Sequence, residues 1–222
     1  MTETPDPKRP VALITGASRG LGAAMAEALA PGHHIIAVAR TIGALEELDD
    51  RIKAKGGEAT LAPLDATDAG AMQHLCRSIH DRWGRIDLWV HAAIHAAPLS
   101  PATMIQEGDW SKSVAANLSA MQRLVGYVAP LLGREGTALF FDDPMPATAF
   151  SGSYGATKAG QMALAKAWQA ETVRTGPRIL IETPPPMPTA LRARFHPGEN
   201  RDALTPPAEV AARLVSSVLE PR

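Results

Sequence analysis

The chain has 222 residues, 45% of them hydrophobic, and carries 22 Lys plus Arg against 23 Asp plus Glu, a net charge of −1. That length and apolar content suffice for one domain with a full core, and the balanced charge offers no electrostatic footprint for nucleic acid or an anionic membrane. A single cysteine, Cys76, excludes an intrachain disulfide and fits a reducing cytoplasm.

Residues 1–9 are polar, include Pro5 and Pro7, and lack any apolar run, so they are expected to be a loose tail without a targeting segment. No later stretch reaches membrane-spanning length without charge, and no membrane association is expected. From residue 10 to 222 the chain reads as one domain. Val11–Thr15 predicts a buried strand that runs directly into Gly16-Ala17-Ser18-Arg19-Gly20-Leu21-Gly22 and an Ala-rich helix over 20–32. Glycines at that position allow a tight turn and close backbone approach to a pyrophosphate, which the helix N-terminus holds through its N–H groups and dipole. Dinucleotide binding is therefore expected there.

A second strand, His34–Ala39, is followed by Arg40, and residues 35–45 contain no Asp or Glu. An acid there would accept the ribose hydroxyl bonds of NAD, whereas a base pairs with the 2′-phosphate of NADP. Arg40, with Arg19 in the glycine turn, favours NADP(H) over NAD(H). A helix over 41–55, a strand over 59–64 and a helix over 68–84 come next. Met72, Leu75, Cys76, Ile79 and Trp83 form an apolar stripe on the last of these, so Cys76 reads as core filler rather than nucleophile. A strand over 86–91 precedes a helix over 110–133, which carries Trp110, Val114, Leu118 and Val125 at helical spacing.

The fifth strand, Thr137–Phe141, gives way to Asp142-Asp143-Pro144, read as a turn rather than as paired catalytic carboxylates. Then comes Tyr154-Gly-Ala-Thr-Lys158, at the start of a helix over 153–175. Residues four apart share a helix face, so a phenol and an ammonium can meet. A nearby ammonium favours phenolate and is expected to lower the Tyr154 pKa, making it a general acid or base near neutral pH. A sixth strand, Arg178–Glu182, and a helix over 207–219 complete the pattern. His33, His34, His91 and His95 lack partners at ligand spacing, so no metal site is expected. Six strands alternating with helices specify an α/β fold: a doubly wound parallel sheet with helices on both faces, ligand groups lying at the carboxyl ends of the strands.

Taken together, the glycine turn, the Tyr-Lys pair and this order resemble the short-chain dehydrogenase/reductase family over nearly the whole chain, which implies a single-domain Rossmann fold and an oxidoreductase. Thr15, Gly16, Gly20 and Gly22 match the family's phosphate turn, and Leu64-Asp65 matches its acidic position near the adenine. Asn117 matches the helix asparagine that holds a relay water. Tyr154 and Lys158 match the proton donor and the lysine that binds the nicotinamide ribose. Met187 matches the residue whose N–H meets the nicotinamide amide, and Thr189 matches its neighbour. Residues 190–205 occupy the substrate-lid position; Arg192, Arg194 and His196 there either hint at an acidic substrate or are solvated. The resemblance also implies a homodimer or homotetramer built on the helices over 110–133 and 153–175.

Three sites depart from the family pattern. The serine expected after the fifth strand is absent, and Phe141, Asp142 or Asp143 falls in its place; Thr148, Ser151 or Ser153 could substitute for it. The family's Asn-Asn-Ala-Gly reads His91-Ala92-Ala93-Ile94, with a β-branched residue where positive φ is resisted. Its Pro-Gly pair after the sixth strand reads Pro184-Pro185-Pro186, which removes backbone donors. The expectation is an NADP(H)-dependent oxidoreductase that interconverts a carbonyl and an alcohol of a small molecule, using Tyr154, Lys158 and Asn117. The alternatives are a nucleotide-binding regulatory or interaction module with little turnover, and another reaction, such as epimerisation, on the same scaffold.

Overall fold

The buried apolar runs form six strands in the computed structural model, which describes residues 9–144 and 148–220. The expected tail lies outside the described residues except for Arg9, whose Nη2 donates to the carbonyls of Ala30 and Pro31 at 3.0 and 3.2 Å. The strands are β1 (Val11–Thr15), β2 (His34–Ala39), β3 (Glu58–Pro63), β4 (Leu88–His91), β5 (Thr137–Phe141) and β6 (Arg178–Glu182). Their order is β3-β2-β1-β4-β5-β6, with every neighbouring pair parallel. This is the doubly wound Rossmann order, which reverses direction between β1 and β4 and opens a crevice at their carboxyl ends.

Side-chain alternation along the strands builds two cores. Ile14 of β1 faces one side with Met25, Leu29, Leu48, Ile52 and Leu214, while Leu13 faces the other with Met72, Ile79, Leu124, Phe140 and Trp168. Helices α1 (Gly20–Leu29), α2 (Ile42–Ala54) and α8 (Pro207–Leu219) cover the first side. The second is covered by α3 (Ala69–Trp83), α5 (Ala120–Leu132) and α6 (Gly152–Thr172). Asp68 caps α3 by accepting from the Ala71 N–H at 2.9 Å, and Gly84, at φ 76°, closes it. Cys76 is buried in the second core, and burial pushes its thiol up to about 11.

Several boundaries differ from the predicted ones, the helices expected over 20–32 and 153–175 each ending three residues early, and three of the differences have local reasons. The strand expected over 86–91 begins at Leu88, because the Ile86 N–H is taken by the Leu131 carbonyl and the Asp87 carboxylate accepts from Val11 N at 2.7 Å. The strand expected over 59–64 ends at Pro63, since the Leu64 N–H folds back onto the Ala62 carbonyl. The helix expected over 110–133 is divided into α4 (Glu107–Ser113), a π-helical turn (Val114–Ser119) and α5. Such widened turns gather at functional positions, and this one carries Asn117.

The second core is held by aromatic edges. Phe140 meets Trp89 at 5.3 Å and 81° and Trp168 at 6.2 Å and 66°, and both Trp89 and Phe140 are fully buried. Phe140→Ala is expected to lower unfolding free energy by about 3–5 kcal/mol, measured by urea denaturation with an unchanged m-value.

Candidate active site

The glycine turn is built by backbone crowding. Gly16 has φ 88°, and its N–H donates to the Val38 carbonyl at 2.9 Å, a carbonyl that Ala17 shares at 3.1 Å. A β-carbon on Gly16 would lie 2.6 Å from the backbone of both Ala92 and Ala93, so only glycine lets the loop after β4 close against the turn. Gly22 packs against the Gly16 carbonyl and Ala92 in the same way, and Gly20, at φ 58°, lies beside the Thr189 methyl. The first turn of α1 contains no acid. This cradle fits a phosphate: close backbone, unpaired helix N–H groups and no opposing charge.

Ser18 and Arg19 border, with Gly20 and Thr189, a cavity of about 480 Å³ whose lining continues along α1 to Glu27 and takes in Arg51, Lys55 and Pro207 rather than Tyr154 or Lys158, and Arg19 is exposed. Leu21 turns its side chain into the core, so only its backbone faces the turn. Arg40 stands at the end of β2, its side chain 74% exposed, with Nη1 at 3.9 Å from Asp65 Oδ2. Asp65 also accepts from the Thr67 N–H and hydroxyl at 2.9 and 2.8 Å, which shapes the entry to α3. Met187 packs partly against the first core, and Thr189 caps α7 (Ala190–Phe195) by accepting from Arg192 N at 3.2 Å. Ile94 does not take the left-handed backbone: among the described residues, Phe150 is the non-glycine with positive φ. The positive φ that a β-branched residue resists is therefore not required of Ile94.

On the other side of the crevice, Tyr154 and Lys158 share the buried face of α6, but they do not touch the partners expected of them. The Tyr154 hydroxyl donates to Asp143 Oδ2 at 2.7 Å, so Asp143 fills the place of the missing serine, while the Ser151 hydroxyl donates instead to the Thr148 carbonyl. Burial, then the charge and hydrogen bond of Asp143 and the charge of Asp142, push the phenol well above its ordinary range. The lowered Tyr154 pKa expected from Lys158 is thus reversed: a buried phenol beside a carboxylate resists ionisation. Lys158 Nζ donates to Gln161 Oε1 at 2.7 Å, and burial lowers its pKa to about 8 against the opposing pull of Asp143 and Asp142.

Asn117, fully buried in the π turn, spends its side chain on structure. Its Oδ1 accepts from His95 N at 2.7 Å, and its Nδ2 donates to the His95 carbonyl and to Thr157 Oγ1, both at 2.9 Å. It thereby clamps the loop after β4 to α6. His91, at the end of β4, is held neutral, its pKa lowered to about 3 by burial and then by Lys158. Among the described residues no three His, Cys, Asp or Glu side chains converge on a metal position.

The segment over 190–205 covers this face. Phe195 lies with its ring 4.8 Å from that of Tyr154 and is buried. Arg192 binds both oxygens of Glu199 at 2.7 and 2.6 Å, and Arg194 Nη1 donates to the Ala96 carbonyl at 2.6 Å. Arg194 is exposed and Arg192 partly so, and both are tied to the protein, where they fold and anchor this segment. One contributor was not anticipated, Gln161, whereas Phe195 lies in the segment expected to cover the site. Gln161 carried a signal, a polar residue one turn after Lys158 on a face that continues as Met162, Ala165 and Trp168.

The family model for short chain dehydrogenase matches residues 10–200. The chain belongs to this family of oxidoreductases, whose Rossmann fold it has. An uncharacterized oxidoreductase of Listeria innocua is 30% identical over 182 residues, covering 79% of this chain and 73% of its own. D-threitol dehydrogenase of Mycolicibacterium smegmatis is 31% identical over 199 residues, covering 87% and 76%. Among solved structures, an alcohol dehydrogenase from the archaeon Thermococcus sibiricus, complexed with 5-hydroxy-NADP, superposes with a TM-score of 0.84 at 26% identity, covering 96% of this chain and 91% of its own. No helix of the described residues is long and apolar enough to cross a membrane.

The chain contains two tyrosines, Tyr127 and Tyr154. In a spectroscopic alkaline titration, the phenolate signal lost on Tyr154→Phe is expected to develop only above the ordinary phenol pKa of about 10. Asp143→Asn should move it back down, because it removes a charge that opposes the phenolate; an unmoved signal would leave burial and the charge of Asp142 as the causes.

Proposed function

We propose that this chain is an NADP(H)-dependent oxidoreductase that interconverts a carbonyl and an alcohol of a small-molecule substrate. One observation carries the proposal: the acid-free glycine cradle at the end of β1 and the buried Tyr154 and Lys158 of α6 flank the same crevice at the carboxyl edge of the sheet. Gly16, Ser18, Arg19, Gly20, Leu21 and Gly22 hold the pyrophosphate through the turn and helix N–H groups, with Thr189 beside Gly20, and the Met187 N–H meets the nicotinamide amide. Arg40, exposed after β2, pairs with a 2′-phosphate, and Asp65 beside it keeps the guanidinium in place. That the archaeal alcohol dehydrogenase is complexed with 5-hydroxy-NADP supports the preference for NADP(H) over NAD(H).

When bound, the nicotinamide supplies or receives a hydride at the substrate carbon. Tyr154 delivers the matching proton to the carbonyl oxygen in reduction, Lys158 holds the ribose and supplies positive charge, and Asn117 fixes the loop against which both stand. The lid over 190–205 closes the substrate side through Phe195. A reducing cytoplasm suits the buried Cys76 thiol, and the exposed small residues Ala156, Ala159 and Ala163 along α6 suit close packing in a homodimer or homotetramer.

A second reading, nucleotide binding with little turnover, is favoured by the 2.7 Å bond between Tyr154 and Asp143. It directs the phenol proton at a carboxylate rather than a substrate, and an ionised Asp143 opposes a developing alkoxide by about 4 kcal/mol at 4 Å in an effective dielectric near 20. Serine in that place would donate, and one such donor is worth about a hundred- to a thousand-fold in rate.

Titration with NADPH and NADH, followed by nicotinamide fluorescence, tests the cofactor assignment: NADPH is expected to bind more tightly, and Arg40→Ala to remove that preference. In a carbonyl screen with NADPH, Tyr154→Phe is expected to abolish reduction and Asp143→Ser to raise it by about a hundredfold. Tight nucleotide binding without reduction in either the natural chain or Asp143→Ser establishes the second reading instead.

A further inference from the structure

Beneath Lys158 lies a buried polar chain that involves every element at the centre of the crevice. Gln161, 2% exposed, accepts from Lys158 Nζ at Oε1 (2.7 Å) and donates from Nε2 to the Asn117 main-chain carbonyl (3.1 Å). The same Nε2 lies 3.5 Å from His91 Nε2, and His91 Nδ1 lies 2.8 Å from Thr15 Oγ1. One amide thus joins α6, the π turn and β4, and through His91 reaches β1.

The orientation of that amide follows from its surroundings. Thr15 Oγ1 donates to the Val90 carbonyl at 3.3 Å and accepts from Trp89 Nε1 at 3.3 Å, which leaves it to accept from His91 Nδ1–H. His91 is neutral, so its Nε2 carries a lone pair, and Gln161 Nε2–H points toward it and toward the Asn117 carbonyl. Oε1 must then face Lys158. Rotating the amide by half a turn would set an NH₂ group against the ammonium and an oxygen against a carbonyl, both repulsive.

We infer that Gln161 is a positioning residue for Lys158: its amide, locked by Asn117 and His91, fixes where the ammonium sits and over what pH range it stays charged. The charged and titratable groups that face Lys158 are Asp143 and Asp142 after β5, His91 on β4 and Tyr154 on α6. His91 and Tyr154 are neutral, so Gln161 is the neutral acceptor that meets the ammonium directly while the two carboxylates act at longer range. Only the catalytic consequence rests on the oxidoreductase proposed above.

The test reads Lys158 through stability. Its folded pKa is about 8 and its ordinary value 10.5, so between these values the unfolded chain binds a proton that the folded chain does not. Stability therefore rises across that window as pH increases, and the rise is absent in Lys158→Met. Urea unfolding as a function of pH, taken as the difference between each chain and its counterpart carrying Lys158→Met, isolates this rise. In Gln161→Met, which keeps the shape and loses the acceptor, the onset is expected about one pH unit lower. In Gln161→Glu, which keeps an acceptor and adds charge, it is expected above that of the natural chain. An onset unmoved by both substitutions overturns the assignment and leaves Gln161 a packing residue. If Gln161→Met does not fold, Gln161→Glu decides alone: a raised onset supports the assignment and an unmoved one overturns it.

NADPH binding measured over the same pH range separates this inference from the function. A moved onset without NADPH binding leaves Gln161 as the positioning residue and removes the oxidoreductase, whereas NADPH binding with an unmoved onset does the reverse.

Discussion

The crevice depends on one steric constraint, the backbone of residues 92–93 lying so close to Gly16 that no β-carbon fits between them. That contact joins the phosphate turn of β1 to the loop leaving β4. The same loop is gripped two residues later by the Asn117 side chain, which bonds both the N–H and the carbonyl of His95. Asn117 in turn meets Thr157 and Gln161 of α6. Backbone contact and buried hydrogen bonds therefore run without a break from the glycine turn to the face of α6 that carries Tyr154 and Lys158. A missing Cβ on one glycine sets the distance between them.

The side chains of the site form two hydrogen-bonded groups, linked by the charges of Asp143 and Asp142 acting on Lys158. Tyr154 and Asp143 form one, open toward the substrate side and covered by Phe195; Lys158, Gln161, Asn117 and His91 form the other, beneath it. In the first, burial and carboxylate charge act in the same direction and keep the phenol protonated. In the second, burial lowers Lys158 while the carboxylates raise it, and burial wins. The division into these two groups follows from two residues, Asp143, which accepts from the phenol, and Gln161, which accepts from the ammonium.

The strands were legible in the sequence because a parallel sheet covered on both faces leaves uninterrupted apolar runs such as Val11–Thr15 and His34–Ala39. The glycine turn was legible for a related reason, since backbone crowding demands a particular residue at a particular place. The division of the predicted helix over 110–133 was not, because the π turn is held by bonds from Asn117 to residues 22 and 40 positions away. The direction of the Tyr154 pKa was not legible either. Helical spacing puts Lys158 on the same face, and the residue count puts Asp142 or Asp143 where the serine is missing, but neither tells which carboxylate reaches the phenol or how deeply the ring is buried. Arg192 and Arg194 likewise looked like free charge until the fold supplied Glu199 and the Ala96 carbonyl.

The anchor at Ala96 connects the lid to this same loop. Residues 92–93 brace the glycine turn, His95 is clamped by Asn117, and Ala96 holds Arg194, one residue before the Phe195 ring that covers Tyr154. The cover and the cradle thus share a single short strap of chain as their common support, so a substitution in residues 92–96 that shifts this backbone is felt on both sides of the crevice at once.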